Sequence, residues 1–68
     1  MKIEEAILYV LARRDGGLKT GQIADIINRE RLYVCKDGRP VSSAFVFRTI
    51  KLHSETFCLA EGRVFLMI

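Results

Sequence analysis

The chain has 68 residues, half of them hydrophobic, and eleven Lys/Arg against eight Asp/Glu give a formal net charge of +3. A chain this short forms one domain at most and buries only ~60 % of the surface that its unfolded form exposes, which leaves little room for a catalytic pocket. The hydrophobic content argues against a disordered chain. The modest positive charge is compatible with a polyanionic partner but does not require one.

The two cysteines, Cys35 and Cys58, are too few for a disulfide scaffold. The start, MKIEEAILYV, carries acids where a secretory signal needs basic residues, and no apolar stretch approaches the ~20 residues that span a bilayer. We therefore expect a cytoplasmic protein, nucleoid-associated if it is bacterial, without a membrane partner. Residues 1–68 are predicted to form a single domain, which could be one module of a longer protein.

Two amphipathic helices are predicted in the first half of the chain. Residues 3–14 carry an apolar stripe at helical spacing, with acids in the first turn, where the helix dipole favours them. The stripe consists of Ile3, Ala6, Ile7, Val10 and Leu11. A second helix is expected from an N-cap at Thr20 to about residue 31, with Ile23, Ile26 and Ile27 as its buried stripe.

A third helix is predicted over residues 43–52. Leu32, Tyr33 and Val34 are expected to be buried or extended, and Asp37-Gly38 is a strong turn signal. Pro40 disfavours helix at the residue before it, and Ser42 can cap the helix that follows.

The last residues predict a β-hairpin. Runs 56–60 and 63–68 are β-branched and aromatic, and they are joined by the two-residue link Glu61-Gly62. Phe57 and Leu59 should share one face of the first strand, and Val64, Leu66 and Ile68 one face of the second. A lone hairpin is unstable, so it must lie against the helices.

The predicted order is helix, helix, helix, hairpin, with Leu18-Lys19 able to add a short third strand. This is the plan of a winged helix-turn-helix domain, an α+β fold that is mostly α: three helices plus a C-terminal β-hairpin wing.

Three stretches, LKTGQIADIINRERLY, KDGRPVSS and TFCLAEGRVFLMI, resemble the HARE-type winged helix-turn-helix domain. The matching features are core and turn positions: the first-helix stripe, Leu18, the three isoleucines, Gly38, Pro40, Phe57 and the GRVFL ending. That family occurs at the ends of restriction-endonuclease-associated, transcription and chromatin proteins. The resemblance implies a DNA-binding module that targets or regulates an associated effector in transcription, restriction-modification or other DNA processing.

The third helix has two faces of different chemistry. At 100° per residue, Phe45, Val46, Thr49, Ile50 and Leu52 fall on one broad arc, which is predicted to face the core. The opposite face is small, polar and basic, with one aromatic at its centre. It consists of Ser43, Ala44, Phe47, Arg48 and Lys51.

In a winged helix this free face enters the major groove of DNA. Hydroxyl groups can contact bases or phosphates, Arg48 can approach guanine or phosphate, and Phe47 could meet a thymine methyl. Basic residues around the preceding turn and at the hairpin tip could bind phosphates on either side. The predicted DNA-binding residues are Ser42, Ser43, Phe47, Arg48, Lys51, Arg39, Lys36 and Arg63.

Catalytic and metal chemistry is not predicted. Cys35, Cys58 and His53 lack the four ligands and the Cys-x-x-Cys pair of a typical zinc site. No nucleophile has a base at a recognisable spacing, and Gly16-Gly17 is not a phosphate loop. We expect no enzyme activity, no cofactor and no small-molecule substrate.

Two functions remain open on the sequence. The first is binding of double-stranded DNA, with a fused effector domain. The alternative is a protein-interaction module, including a homodimer, because the same fold serves both. Clustering of the apolar residues expected at the surface, Leu8, Tyr9, Phe47 and Met67, would favour a protein partner.

Overall fold

The structure, a computed structural model, describes residues 1–14 and 16–67. Three helices are followed by a two-stranded antiparallel hairpin, which confirms the predicted α+β, mostly helical class and is consistent with a winged helix. The elements are α1 (Ile3–Ala12), α2 (Thr20–Glu30), α3 (Ser43–Leu52), β1 (Phe57–Ala60) and β2 (Arg63–Leu66).

The predicted apolar stripes of α1 and α2 form the core. Fully or nearly buried residues on these helices are Ala6, Ile7, Val10, Leu11, Ile23, Ala24, Ile26 and Ile27. The centre of the core takes side chains from all three helices and from β2: Ile7, Ile23, Ile27, Val46 and Val64. Each element therefore buries one face against the others, as a domain of this size requires.

Two predicted helix boundaries were wrong. α1 ends at Ala12 instead of residue 14, because the amides of Arg13 and Arg14 bond back only three residues, to Val10 and Leu11, in a tight final turn. Thr20 is the first residue of α2 and not its N-cap. The cap position is Lys19, whose N–H donates to Gln22 Oε1 at 3.0 Å, so the N3 side chain takes over the capping.

The linker between α2 and α3 spans residues 31–42, far longer than the three or four residues usual in a helix-turn-helix. Leu32 and Tyr33 are half-buried against the core, while Val34 is exposed. The predicted turn is present: the N–H of Gly38 (φ +79°) donates to the Cys35 carbonyl at 3.0 Å.

The hairpin has the predicted two-residue turn. Glu61 (φ +52°) and Gly62 (φ +76°) both adopt left-handed conformations, as a type I′ turn requires. Phe57 pairs with Leu66, and Leu59 with Val64, so these four side chains share one face, as predicted. Ile68, which was predicted to share the face of Val64 and Leu66, lies outside the described residues.

The wing is attached to the helices by a third backbone partner. Leu18 forms an antiparallel bridge with Val64, whose two hydrogen bonds are 3.2 Å and 2.7 Å long. The predicted third strand is thus reduced to the single residue Leu18. Because Leu18 lies only two residues before Thr20, the first residue of α2, this bridge fixes the hairpin relative to the helical core.

Candidate nucleic-acid interface

The N-terminal end of α3 is held by two sets of hydrogen bonds. Ser42 is its N-cap, as predicted, and the Ser42 Oγ accepts from the Phe45 N–H at 3.1 Å. One residue earlier, Val41 is paired with the side-chain amide of Asn28 on α2. The Val41 N–H donates to Asn28 Oδ1 at 2.8 Å, and Asn28 Nδ2 donates to the Val41 carbonyl at 2.9 Å.

The core face of α3 is narrower than predicted. Val46, Thr49 and Ile50 are buried, and the Thr49 hydroxyl is satisfied because it donates to the Phe45 carbonyl at 2.9 Å. Leu52, which was predicted to face the core, is 74 % exposed. It lies on the same arc as Phe45 but about 10 Å further along the axis, beyond the linker residues that cover Phe45.

The opposite face of α3 is open to solvent. All five residues predicted to form it, Ser43, Ala44, Phe47, Arg48 and Lys51, are exposed. Phe47 is 41 % exposed, which confirms the predicted helical phase. It is the strongest check of that phase, because a wrongly oriented helix would have buried this aromatic residue. α3 contains no acidic residue, so its charges are all positive. We call these five residues the α3 face.

Both basic residues of the α3 face lie over aromatic rings. Lys51 Nζ is 5.6 Å from the centroid of the Phe47 ring, and Arg48 Cζ is 5.8 Å from that of Phe45. At exposed sites such cation–π contacts contribute about 0.5–1 kcal/mol. They hold the two cations close to the helix surface while leaving them accessible to an anion.

A groove of about 480 Å³ runs between the linker and the N-terminal half of α3. It brings together four of the predicted site residues: Lys36, Arg39, Ser42 and Arg48. Its one acid, Asp37, pairs with Arg39 at 3.6 Å and also accepts from the Arg39 N–H at 3.0 Å. Asp37 therefore compensates the charge of Arg39, and the positive charges of Lys36 and Arg48 have no further acid among the lining residues. We call it the basic groove.

Arg63 is not among the residues that line the basic groove. Its Nη1 donates to the Gly17 carbonyl at 3.3 Å, which directs the guanidinium toward the connection between α1 and α2. The Leu18–Val64 bridge explains this bond, because Gly17 and Arg63 are the residues that directly precede the two bridge partners. The sequence could not show this, because the contact joins residues 46 positions apart.

Three residues that position the site were missed by the sequence reasoning. Asn28 fixes the linker, and the rings of Tyr33 and Phe45 pack edge-to-face, with centroids 6.0 Å apart, at the wall of the basic groove. Phe45 was predicted to face the core and Tyr33 to be buried or extended, so neither was assigned to the site. Asn28 carried no sequence signal, because a polar residue on an amphipathic helix normally faces solvent.

Residues 1–14 and 16–67 contain no group of three or more His, Cys, Asp or Glu side chains that could hold a metal ion. Cys35 and Cys58 are free, half-buried thiols, and His53 follows the last turn of α3 as its C-cap. Within the same described residues, no helix is both long and apolar enough to cross a bilayer. Comparisons with protein-family models, curated proteins and solved structures gave no match to this chain.

Proposed function

We propose that this chain is a non-catalytic module that binds double-stranded DNA through the α3 face and the basic groove. The observation that carries the proposal is the exposed, acid-free α3 face with Lys36 and Arg39 beside it. A helix presented in this way fits the major groove, which is about 12 Å wide. The sequence resemblance to HARE-type domains adds the expectation that the module targets or regulates an associated effector.

The two parts of the surface would have different roles. Residues near the start of a recognition helix reach base edges, so Ser43, Phe47 and Arg48 are the candidates for sequence readout. Lys36, Arg39 and Ser42 lie beside that end of the helix, where phosphate contacts would set the orientation of the protein on the duplex. Lys51, one turn further along, would reach a phosphate of the groove wall.

Duplex binding measured across a salt series tests the proposal. Lys51→Ala should weaken binding to all sequences alike and make the salt slope shallower by about one unit, as expected for one lost phosphate contact. Arg48→Ala should cost about 1–3 kcal/mol of binding free energy and relax the preference at one base pair if Arg48 reaches a base edge. A wild-type protein without measurable duplex affinity at low salt would overturn the proposal.

A second candidate function is protein interaction through the same helix, and the exposed Phe47 favours it. An aromatic ring that is 41 % exposed in the centre of a polar face is typical of a contact residue in a protein interface. This reading needs no DNA affinity at all.

Phe47→Ser separates the two candidates, since the exposure of the ring predicts that the fold survives. If DNA is the partner, the variant should bind duplex DNA differently while its mass in solution stays unchanged. If a protein is the partner, the variant should lose that protein contact and leave DNA affinity untouched. Met67→Ser removes another exposed apolar side chain outside the α3 face and is the matched control.

A further inference from the structure

An apolar groove of about 500 Å³ runs along the solvent side of α1. Its lining residues are Met1, Glu5, Leu8, Tyr9 and Ala12. Leu8 is 43 % exposed and Tyr9 is 44 % exposed, although both are large apolar side chains. We call this surface the α1 groove.

The α1 groove follows a helical seam. Within α1, Glu5, Leu8 and Ala12 are separated by three and four residues, the spacing that lines up side chains along one side of a helix, and Met1 adds to this side from the segment before the helix. The core stripe of α1 lies on the other side, so the helix has two apolar faces and the fold covers one. A helix that is apolar on both sides is normally buried on both.

The charges at the two ends of the α1 groove are opposite. Glu5 lines the groove on the N-terminal side of Leu8. Arg13 directly follows the last lining residue, Ala12, and its half-exposed side chain has Cζ 5.1 Å from the Tyr9 ring centroid. The dipole of α1 is positive at the N-terminus and negative at the C-terminus, so antiparallel α1 helices also bring opposite dipole ends together. Two copies of this surface therefore match when they run antiparallel, and like charges meet when they run parallel.

We propose that the α1 groove is the surface through which two copies of this chain associate, with the two α1 helices antiparallel about a two-fold axis near Leu8 and Tyr9. Such an interface is isologous, so each contact occurs twice. The apolar side chains of both copies meet at the centre. At each end, Glu5 of one copy comes beside Ala12 and Arg13 of the other.

This pairing can form only between copies. Glu5 and Arg13 are eight residues apart, about 12 Å along the helix axis, which is too far for an ion pair within one chain. In the single chain they have other partners: Glu5 Oε1 accepts from the Lys2 N–H at 2.8 Å, and Arg13 pairs with Glu30 at 3.2 Å. The contacts between copies would add to these contacts within the chain, because a carboxylate and a guanidinium can each bond more than one group.

The dimer should be weak. α1 is only about 15 Å long, so the interface falls below the ~1,200 Å² typical of stable complexes, and we expect a transient dimer that forms only at high protein concentration. The α1 groove shares no residue with the α3 face or the basic groove. Association and DNA binding are therefore independent, and failure of one leaves the other standing.

Sedimentation equilibrium on the purified chain tests the proposal without DNA. The wild-type mass should rise from the monomer value toward twice that value as the concentration approaches about 1 mM. Leu8→Glu should remain monomeric over the same range. Leu52→Glu introduces the same change at an exposed leucine of α3 and should dimerise like the wild type. A wild-type chain that stays monomeric throughout overturns the proposal, and so does an unaffected Leu8→Glu.

Charge exchange tests the antiparallel arrangement. Glu5→Arg and Arg13→Glu should each weaken association several-fold, because each places like charges beside the other copy. The double variant should regain most of the wild-type association, since every pair between copies is restored with its sign reversed. The exchange does not restore the contacts within one chain, from Glu5 to Lys2 and from Arg13 to Glu30. If Glu5 and Arg13 acted only through these contacts, the losses of association in the two single variants would add in the double variant. An additive loss in a double variant whose far-ultraviolet circular dichroism is native overturns the antiparallel dimer.

Discussion

Replacing Asn28 with alanine should destabilise the fold more than any surface substitution on α2. The Asn28 side chain makes two hydrogen bonds with the backbone of Val41, and Val41 is almost fully buried. Each such bond contributes about 1 kcal/mol net, and a buried backbone group left without a partner costs more. We expect a loss of about 2–3 kcal/mol in the free energy of unfolding. In a domain of this size, 1 kcal/mol corresponds to about 4–8 °C, so the melting temperature should fall by at least ~8 °C.

Thermal and urea unfolding followed by circular dichroism measure this loss. Asn28→Asp keeps an acceptor for the Val41 N–H but turns a carboxylate oxygen toward the Val41 carbonyl, so it should also destabilise the chain. Arg29→Ala, at the exposed neighbouring position of the same helix, is the control and should stay within about 0.5 kcal/mol of the wild type. If Asn28→Ala is no more destabilising than Arg29→Ala, the linker is not held in the way described, and the position of α3 has another cause.

Three further substitutions test local geometry by the same unfolding measurements. Gly17→Ala should cost about 2–4 kcal/mol, because a Cβ there would lie 2.7 Å from the Phe65 ring and φ is +74°. In Gly16→Ala the new Cβ meets no atom within 4 Å, so this control should cost only about 1–2 kcal/mol. Equal losses in the two variants would refute the close packing of Gly17 against Phe65. Gly62→Val should cost at least ~1–2 kcal/mol, since valine disfavours the left-handed turn conformation, and unchanged stability would count against the type I′ turn. Ser42→Ala should cost about 1 kcal/mol through the lost cap of α3, and no loss would show that Ser42 does not cap the helix.

The fold was largely predictable because its signals are local. The isoleucines of α2 repeat at helical spacing, Ser42 stands directly before its helix, and Glu61-Gly62 separates two β-rich runs. Each of these patterns needs only neighbouring residues to be interpreted. The helical phase of α3 was predictable for the same reason, and it placed Phe47 correctly at the surface.

The remaining details depend on contacts between distant parts of the chain. Leu52 has the correct phase for the core but lies beyond the elements that would cover it. Arg63 was placed with the DNA-binding residues from its position at the hairpin tip, while its side chain bonds to Gly17 across the Leu18 bridge. Asn28 gains its role only when Val41 folds back beside α2. No local pattern encodes any of these three arrangements.

The location of the DNA-binding surface is tested most directly by a matched pair of charge reversals. One variant combines Arg48→Glu with Lys51→Glu on the α3 face, and the other combines Lys2→Glu with Lys19→Glu at the starts of α1 and α2. Both lower the net charge of the chain equally, and acids at helix starts are well tolerated.

Duplex affinity should then be measured for both variants and the wild type at one low salt concentration, with circular dichroism confirming that each is folded. The α3-face variant should lose nearly all binding, while the helix-start variant keeps most of it. Equal losses in the two variants would mean that binding follows net charge alone, and that would contradict an interface on α3.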